Sequence, residues 1–329
     1  MGEQRPIIAK IITYIAVAAL VPLAMVALTR GGAEFAGRVL ERRYPPPGRM
    51  IPVADYRLQL FCIGTGSPTV IVEPGMGVDW VGWRSVIAGL TPFQRVCVYD
   101  RAGYGWSDRG PQPRTALREA QELHTMLTNA RIAGPYILAA HSFGAYIARI
   151  YASRYRNTLA GVVLVEPSHE DEASIDTSLA KPASCLACRV LDMIPPLGIQ
   201  RLKRLRAGYG SVPAELRTAP RFYQERYLIA SSIVQLELER NEFDSLPQTR
   251  RQVRQAVFPS DLPLRVITAV HDLPKPATLH SQLHRRLAAL SRYGQQIVAA
   301  KSGHMVPLDQ PELIVDQVRD LARQPRQYD

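Results

Sequence analysis

Short apolar runs and amphipathic stretches alternate along the chain from Met50 onward. The run LQLFC alternates with period two, TVIVE and RVCVYD are short apolar runs typical of buried strands, and turn residues follow each of the three. The strand pattern continues with YILAA and GVVLVE. Between these runs, residues 80–90, 115–132 and 143–154 place apolar side chains at helical spacing. Strands that alternate with helices predict a mostly parallel sheet that is covered by helices on both faces.

The alternation stops over residues 169–258, which are helix-like, rich in Arg and Leu, and interrupted by Pro and Gly. It resumes with LRVITAV, a helix near 279–292, QQIVAA and a last helix near 311–323. Ligands bind beyond the carboxyl ends of parallel strands, so we interpret the insertion as a helical cap over that edge of the sheet. The α/β core is therefore predicted to comprise residues 50–168 and 259–329.

The N-terminal part of the chain carries a hydrophobic segment. Residues 11–28 contain no charged side chain over 18 positions and have basic residues on both sides, which places them at the short end of the membrane-spanning range. They predict a single-pass membrane anchor within residues 1–30. A cleaved signal peptide, which would leave a secreted protein, and a buried helix are the alternatives. Residues 31–49 run into three consecutive prolines and are expected to form an extended linker.

Composition narrows the class of protein. The chain has 329 residues, 47% of them hydrophobic, which is enough to bury a full core in one large domain with an insertion. The formal net charge of +11 is compatible with nucleic acid, an anionic membrane or simple solubility. The basic residues are spread along the whole chain, and the sequence contains no zinc finger, RNP-type strand or basic region joined to heptads, so no nucleic-acid partner is predicted.

The four cysteines are too few for a disulfide scaffold in a chain of this size. Cys62 and Cys97 lie inside strand-like runs and are expected to be small buried hydrophobic residues. Cys185 and Cys188 form one C-x-x-C, half of the ligand set of a structural zinc, so a local disulfide or two thiols are favoured and no metal is predicted. An oxidised pair would need an oxidising compartment, whereas the basic residues after the hydrophobic segment mildly favour a cytoplasmic catalytic domain.

A candidate nucleophile follows the run YILAA, where the chain reads His141, Ser142, Phe143 and Gly144 before an amphipathic helix. A serine on a tight strand-to-helix turn needs small neighbours, because the strained backbone that exposes Oγ brings the flanking residues close together. Ala140 and Gly144 occupy those two places, which gives A-x-S-x-G where G-x-S-x-G is usual. A serine that caps the following helix is the alternative interpretation.

Two further residues complete a catalytic triad in the chain order Ser, Asp, His. Asp272 follows the strand LRVITAV, and His304 lies in a Gly-containing loop after the last strand. In this arrangement the imidazole takes the Oγ proton, and the carboxylate holds the imidazole tautomer and stabilises the imidazolium. Glu166, which ends the run GVVLVE, is the rival for the acid. Asp272 is preferred because the later strand usually supplies that member.

The turn after TVIVE reads Pro74, Gly75, Met76, Gly77 and can aim a backbone N–H at the oxygen of an acyl substrate. The predicted oxyanion donors are the N–H groups of Met76 and Phe143, one from the loop after this strand and one from the residue after the nucleophile.

Several segments resemble the α/β-hydrolase superfamily, and in particular bacterial serine hydrolases with an N-terminal hydrophobic segment: RYPPPGRM, VCVYDRAGYGWSD, AAHSFGAYIARIYASRY, LVEPSHEDE and SGHMVPLDQPELI. The resemblance runs from Met50 to about residue 323. It implies an eight-stranded, mostly parallel sheet, a lid inserted after the sixth strand, and no cofactor. The chain departs from the family at Ala140, where Gly is more frequent, and at Glu166, where Asp is frequent. Serine at position 142 argues against epoxide hydrolases and haloalkane dehalogenases, which need a carboxylate nucleophile.

These features predict a serine hydrolase that cleaves an ester, thioester or amide of a small apolar acyl substrate through an acyl-enzyme on Ser142. The same triad serves an acyltransferase or perhydrolase, so sequence leaves that alternative open. A non-catalytic, membrane-associated binding protein that keeps the fold without its reaction is the third hypothesis.

Overall fold

A computed structural model describes residues 35–172, 205–229, 233–271 and 277–324, together with Tyr14, Leu20, Val21, Ala24, Gly31 and Gly32. Three of the sequence predictions fall outside the described residues: Asp272, the pair Cys185 and Cys188, and most of the hydrophobic segment 11–28. In the part of the chain that is described, no helix has the length and apolar character needed to cross a membrane.

The described residues form one eight-stranded sheet with the strand order β1-β2-β4-β3-β5-β6-β7-β8. The strands are β1 (Arg49–Pro52), β2 (Arg57–Ile63), β3 (Thr69–Glu73), β4 (Val96–Tyr99), β5 (Tyr136–His141), β6 (Leu159–Val165), β7 (Leu264–Ala269) and β8 (Gly294–Ala299). The pairs β1/β2 and β2/β4 are antiparallel, and every other pair is parallel. The prediction of an eight-stranded, mostly parallel sheet is confirmed.

Ten α-helices follow β1 among the described residues: α1 (Arg84–Leu90), α2 (Ala116–Asn129), α3 (Gly144–Arg154), α4 (Ala214–Arg217), α5 (Arg221–Ile229), α6 (Ile233–Asp244), α7 (Leu246–Gln255), α8 (Ala277–Ala288), α9 (Val306–Asp309) and α10 (Pro311–Arg323). Helices α2 and α3 contribute to the apolar cluster on one face of the sheet, and α1 and α10 to the cluster on the other. The start of α2 is set by Thr115, whose side chain accepts a hydrogen bond from the N–H of Arg118.

The central strands explain why the sequence pattern was informative. All five residues of β3 and all six of β5 are buried. Because helices cover both faces of the sheet, these strands are continuous apolar runs and do not alternate between apolar and polar residues. Each Val, Ile or Leu in them stabilises the fold by about 1.5–3 kcal/mol relative to an exposed side chain. The short edge strand β1 was missed, since its four residues carry no such run.

The predicted linker differs from the structure in its first half. Residues 35–43 are helical, and Ala36, Leu40 and Tyr44, spaced by four residues, are buried. The backbone oxygen of Tyr44 accepts a hydrogen bond from Trp106 Nε1 at 2.8 Å. The ring of Tyr44 contacts that of Tyr209, with ring centroids 5.4 Å apart. An i, i+4, i+8 apolar spacing thus packs this helix against the molecule directly before the prolines, where an extended spacer was expected.

Helices α4 to α7 lie between β6 and β7 in the chain, which is where the resemblance implied a lid. Two buried ion pairs tie these helices to consecutive residues after β4. Asp100 Oδ1 meets Arg226 Nε of α5 at 2.9 Å, and Arg101 Nε meets Glu242 Oε1 of α6 at 3.0 Å. A buried charge is costly unless it is paired, so these contacts fix where α5 and α6 sit on the core.

Cys62 and Cys97 form a disulfide, which corrects the expectation that they are isolated buried residues. They are directly opposite each other in the antiparallel pair β2/β4, with Cα atoms 4.0 Å apart. Each cysteine does sit in a strand, as expected. Their pairing depends on the register between β2 and β4, which the separate runs do not reveal.

Candidate active site

Ser142 lies on the turn between β5 and α3 and has a φ of +53°. Positive φ is uncommon for a residue with a Cβ and marks a position that the surrounding structure enforces. The backbone N–H of Ser142 donates to the backbone oxygen of Val165 at 3.1 Å. The backbone oxygen of Ser142 accepts from the N–H groups of Ala145 and Ser168. The turn therefore has the strand-turn-helix form of a nucleophile elbow.

The close approach of the β3 loop explains Gly144. A Cβ at this position would lie 2.7 Å from the oxygen of Glu73 and 2.8 Å from that of Pro74, closer than real Cβ contacts. Ala140 is fully buried opposite Glu73, and its methyl group is accommodated there. The elbow thus requires glycine on one side of Ser142 and tolerates alanine on the other.

His304 is brought to the nucleophile, with 3.1 Å between His304 Nε2 and Ser142 Oγ. The loop that carries it is held by Asp309, whose Oδ2 accepts from Ser302 Oγ at 2.9 Å and from the N–H of Gly303 at 3.3 Å. The His304 side chain remains 56% exposed. The predicted serine–histidine pair is therefore at hydrogen-bond distance and open to solvent or substrate.

His141 holds the His304 loop through a hydrogen bond to its backbone. Its Nε2 lies 2.8 Å from the oxygen of His304, which makes Nε2–H the donor. Burial, together with the neighbouring His304, lowers the pKa of His141 to about 4, so this ring is neutral at ordinary pH. Sequence reasoning gave His141 no role. Its position directly before the candidate serine was the sequence feature that could have marked it as part of the site.

The carboxylate that meets His304 among the described residues is Glu166. Its Oε2 lies 3.4 Å from His304 Nδ1, and the residue is 2% exposed with a φ of +44°. Because Asp272 falls outside the described residues, its position is not compared with that of Glu166. The described contact with His304 Nδ1 is therefore made by Glu166, the alternative acid in the sequence analysis.

Two groups besides His304 hold the Glu166 carboxylate. The N–H of Ala269 donates to Oε1 at 2.7 Å, and His280 Nε2 lies 3.1 Å from Oε1 and 3.2 Å from Oε2. Burial alone raises the pKa of Glu166, but hydrogen bonds to His280 and His304 outweigh it and lower this pKa to about 2. Glu166 is therefore ionised across the physiological range. Sequence reasoning missed His280. It lies four residues before His284 on α8, so that both side chains are on the same face of the helix.

Glu166, His280 and His284 also form a group whose ligand atoms lie within 4.8 Å of one another, a donor set that transition metals use. In His284, however, Nδ1 lies 3.0 Å from Thr268 Oγ1, and Nε2 lies 2.9 Å from the oxygen of Pro167. Both ring nitrogens thus have protein partners. We describe the group as a hydrogen-bond network around Glu166.

The predicted oxyanion donors lie on either side of Ser142: Phe143 follows it in the chain, and a Cβ added to Gly75, the residue before Met76, would lie 3.1 Å from Ser142 Cβ. Within the described residues, the N–H groups of Met76 and Phe143 have no hydrogen-bond acceptor. The oxygen of Gly75, which shares a peptide unit with the N–H of Met76, accepts from Arg101 Nη2 at 3.1 Å. In a trans peptide the C=O and N–H point in opposite directions, so the Met76 N–H points away from Arg101. Two N–H groups without acceptors beside the elbow are what an oxyanion hole provides.

A family model for the alpha/beta hydrolase family matches residues 70–317, which is most of the chain. The chain belongs to the alpha/beta hydrolase family. Membership supports hydrolase activity and agrees with the elbow, the strand order and the position of the insertion. It does not by itself give the substrate or the nucleophile, because this fold serves several reactions.

Among the relatives of this chain, an uncharacterized protein of Schizosaccharomyces pombe is 28% identical over 258 residues. That match covers 68% of this chain and 46% of the yeast protein, about half its length. An AB hydrolase superfamily protein of Gibberella zeae is 26% identical over 280 residues, 78% of this chain and 86% of that protein. A solved thermophilic esterase from Thermogutta terrifontis has a TM-score of 0.58 at 21% identity, covering 84% of this chain and 97% of the esterase. This last likeness shows the fold.

A cavity of about 420 Å³ lies at the opposite end of the sheet from Ser142. It is lined by residues at the starts of β6, β7 and β8, including Leu159, Pro263 and Gly294. In parallel sheets, ligands bind at the carboxyl ends of the strands. The candidate active site is therefore the edge that carries Ser142, Glu166 and His304.

Proposed function

We propose that this protein is a serine hydrolase that forms an acyl-enzyme on Ser142. The observation that carries the proposal is the 3.1 Å contact between Ser142 Oγ and His304 Nε2, with the ionised Glu166 carboxylate on the other side of the imidazole. A serine hydroxyl is a weak nucleophile until an adjacent base accepts its proton. The base and its orienting carboxylate are both within reach here.

The mechanism follows from these positions. Ser142 Oγ attacks the acyl carbon and His304 Nε2 accepts its proton, while Glu166 holds the imidazole through Nδ1–H and stabilises the imidazolium. The N–H groups of Met76 and Phe143 stabilise the oxyanion of the tetrahedral intermediate. Collapse of the intermediate breaks the bond to the leaving group, which takes the proton from His304. Water then attacks the acyl-enzyme with His304 again as base.

Glu166 is proposed as the acid of this triad. Its contact with His304 Nδ1, its burial and its hydrogen bonds to Ala269 and His280 support the assignment. These bonds stabilise the ionised form, and that is the form the mechanism uses. Asp272 becomes the alternative, and a substitution test separates the two carboxylates.

The proposed substrate is an ester, thioester or amide of a small apolar acyl group. Apolar side chains of α5 support it, since Tyr223, Leu228 and Ile229 are buried in one cluster with Trp80, just beyond the oxyanion loop. The rings of Trp80 and Tyr223 have centroids 5.6 Å apart. Apolar surroundings favour apolar acyl groups and strengthen electrostatic stabilisation of the transition state.

We also propose that residues 11–28 anchor the protein in a membrane with its catalytic domain on the oxidising side. The uncharged run supports the anchor. The Cys62–Cys97 disulfide supports the sidedness, because structural disulfides persist in oxidising compartments. The basic residues that follow the run had mildly favoured the opposite side.

Hydrolysis of p-nitrophenyl esters of graded acyl length by the full-length protein in detergent tests the reaction, with Ser142→Ala as the blank. We expect turnover with a maximum at short acyl chains and its loss in the variant. Adding an alcohol or peroxide acceptor decides between hydrolysis and transfer. If the acyl group goes mainly to the acceptor, the protein is an acyltransferase or perhydrolase.

A further inference from the structure

Arg101 is the second residue after β4 and is buried, with 4% of its side chain exposed. Its guanidinium holds the oxyanion loop through two backbone oxygens: Nη1 donates to Pro74 O at 2.8 Å, and Nη2 donates to Gly75 O at 3.1 Å. The guanidinium carbon also lies 5.8 Å from the centre of the Phe143 ring, which belongs to the second oxyanion donor. One buried side chain therefore contacts both halves of the candidate oxyanion hole.

The hydrogen bond from Arg101 to the oxygen of Gly75 also sets the direction of the Met76 N–H. The oxygen of Gly75 and the N–H of Met76 belong to one planar trans peptide, so fixing the oxygen fixes the direction of the N–H. A free peptide in a glycine-containing turn can rotate and withdraw that donor. Arg101 thus acts on the oxyanion through the Gly75–Met76 peptide without touching the substrate.

Arg101 is itself oriented by a carboxylate from the insertion. Glu242 of α6 is fully buried and accepts from Arg101 Nε at 3.0 Å and Nη2 at 3.3 Å. It also accepts from the Tyr104 hydroxyl at 2.9 Å, and that hydroxyl accepts from the N–H of Gly77 at 3.2 Å. Two chains of hydrogen bonds, one on each side of Met76, therefore run from α6 to the oxyanion loop.

We propose that Arg101 and Glu242 are positioning residues that hold the Met76 N–H toward the oxyanion, so that helix α6 of the insertion completes the oxyanion hole. This inference rests on the proposed acyl-enzyme chemistry. Donors that meet the oxyanion act on the transition state more than on the bound substrate, so losing their orientation lowers kcat more than it raises KM.

The test compares Arg101→Lys and Glu242→Gln with the matched control Arg114→Lys in the full-length protein. Arg114 is equally buried and pairs with Glu122 at 2.6 Å, and its hydrogen bonds among the described residues do not reach the oxyanion loop. Lysine keeps the charge at each position but cannot reproduce the planar, forked set of hydrogen bonds. The readouts are kcat, KM, the melting temperature and the Ki of an alkyl trifluoromethyl ketone, whose serine adduct carries an oxyanion.

We expect Arg101→Lys and Glu242→Gln to lower kcat by about tenfold or more. They should raise the Ki of the trifluoromethyl ketone by a similar factor and change KM little. Arg114→Lys should lower the melting temperature comparably and leave kcat and Ki near wild type. If Arg101→Lys does not fold, Glu242→Gln and Tyr104→Phe carry the same comparison.

Equal kcat losses in the Arg101 and Arg114 variants, or an effect confined to KM, would overturn the inference while leaving the triad intact. A wild-type protein whose Ser142 neither turns over esters nor binds the ketone would instead overturn the proposed function. The two failures are therefore distinguishable in one experiment.

Discussion

Ser142 and Glu166 stand at the carboxyl ends of the adjacent strands β5 and β6, and both adopt positive φ values, +53° and +44°. Backbone strain at residues with side chains costs on the order of 1–3 kcal/mol each and persists where the surrounding structure enforces it. Here it directs one hydroxyl and one carboxylate to the same edge of the sheet, where His304 lies between them.

The identity of the acid is tested by Glu166→Gln beside Asp272→Asn. Glutamine keeps the size of the side chain but removes the charge that stabilises the imidazolium, so kcat should fall by about 10⁴-fold. Asp272→Asn should stay close to wild type. Steady-state kinetics on one p-nitrophenyl ester measures both variants, and the reverse pattern would assign the acid to Asp272.

His280 gives a pH-dependent contribution to stability. Burial alone lowers the pKa of His280, but the hydrogen bond to Glu166 raises it above its ordinary value. The stabilisation is therefore fully present below about pH 6.5 and is lost as pH rises through the folded-state pKa. His280→Gln can keep a donor but removes the titration, so the melting temperatures of wild type and variant should converge as pH rises above 6.5.

His284→Gln is the matched control for this prediction, because His284 lies one turn along α8 and burial lowers its pKa to about 4. Its loss should leave the slope of melting temperature against pH unchanged above neutrality. Parallel curves for wild type and His280→Gln would show that the contact with Glu166 does not titrate as described.

Much of the sheet could be predicted from sequence because strands β3 to β7 are almost entirely buried apolar runs. The chain order of serine and histidine placed Ser142 and His304 correctly at one edge. Asp272 was preferred as the acid, but Glu166 and Asp272 both follow strands, and the choice depends on which side chain meets His304 in space. The Cys62–Cys97 pairing depends on strand register, and the helix over residues 35–43 precedes prolines that suggested an extended segment.

The close packing of Gly144 against the loop after β3 can be tested by substitution. A methyl group there would push the backbone of Glu73 and Pro74 away from Ser142, and with it the oxyanion loop. A displacement of this kind lowers kcat by about 100-fold, so Gly144→Ala should lose activity with KM less affected. Ala140→Gly is the control on the other side of the serine and should retain most of the kcat. Similar kinetics for both variants would contradict the close approach of the loop.

At the scale of the whole molecule, the described insertion helices are held to the core by buried charges, and the antiparallel strands β2 and β4 by a disulfide. The buried pairs Asp100–Arg226 and Arg101–Glu242 join consecutive core residues to two different helices. Breaking such a pair from one side leaves a buried charge without its partner. The fold therefore links the position of α5 and α6 to the loop that follows β3.

The disulfide predicts a redox-dependent stability. It closes a loop with a sequence separation of 35 residues, and a loop of this size stabilises a folded protein by about 3–4 kcal/mol. Cys62→Ala/Cys97→Ala should lose roughly that free energy of unfolding in urea, and a reductant should have no further effect on the variant. Cys185→Ser/Cys188→Ser is the control for the other two cysteines. An unfolding midpoint of the wild-type protein that is the same with and without reductant would contradict the disulfide.

The most direct test of the central claim is covalent labelling with a fluorophosphonate probe, followed by mass spectrometry of the labelled peptide. We expect one modified serine, Ser142, in the folded full-length protein, with labelling absent in Ser142→Ala and strongly slowed in His304→Ala. No labelling of the folded wild type, or labelling that persists in Ser142→Ala, would contradict the claim that Ser142 is a nucleophile activated by His304.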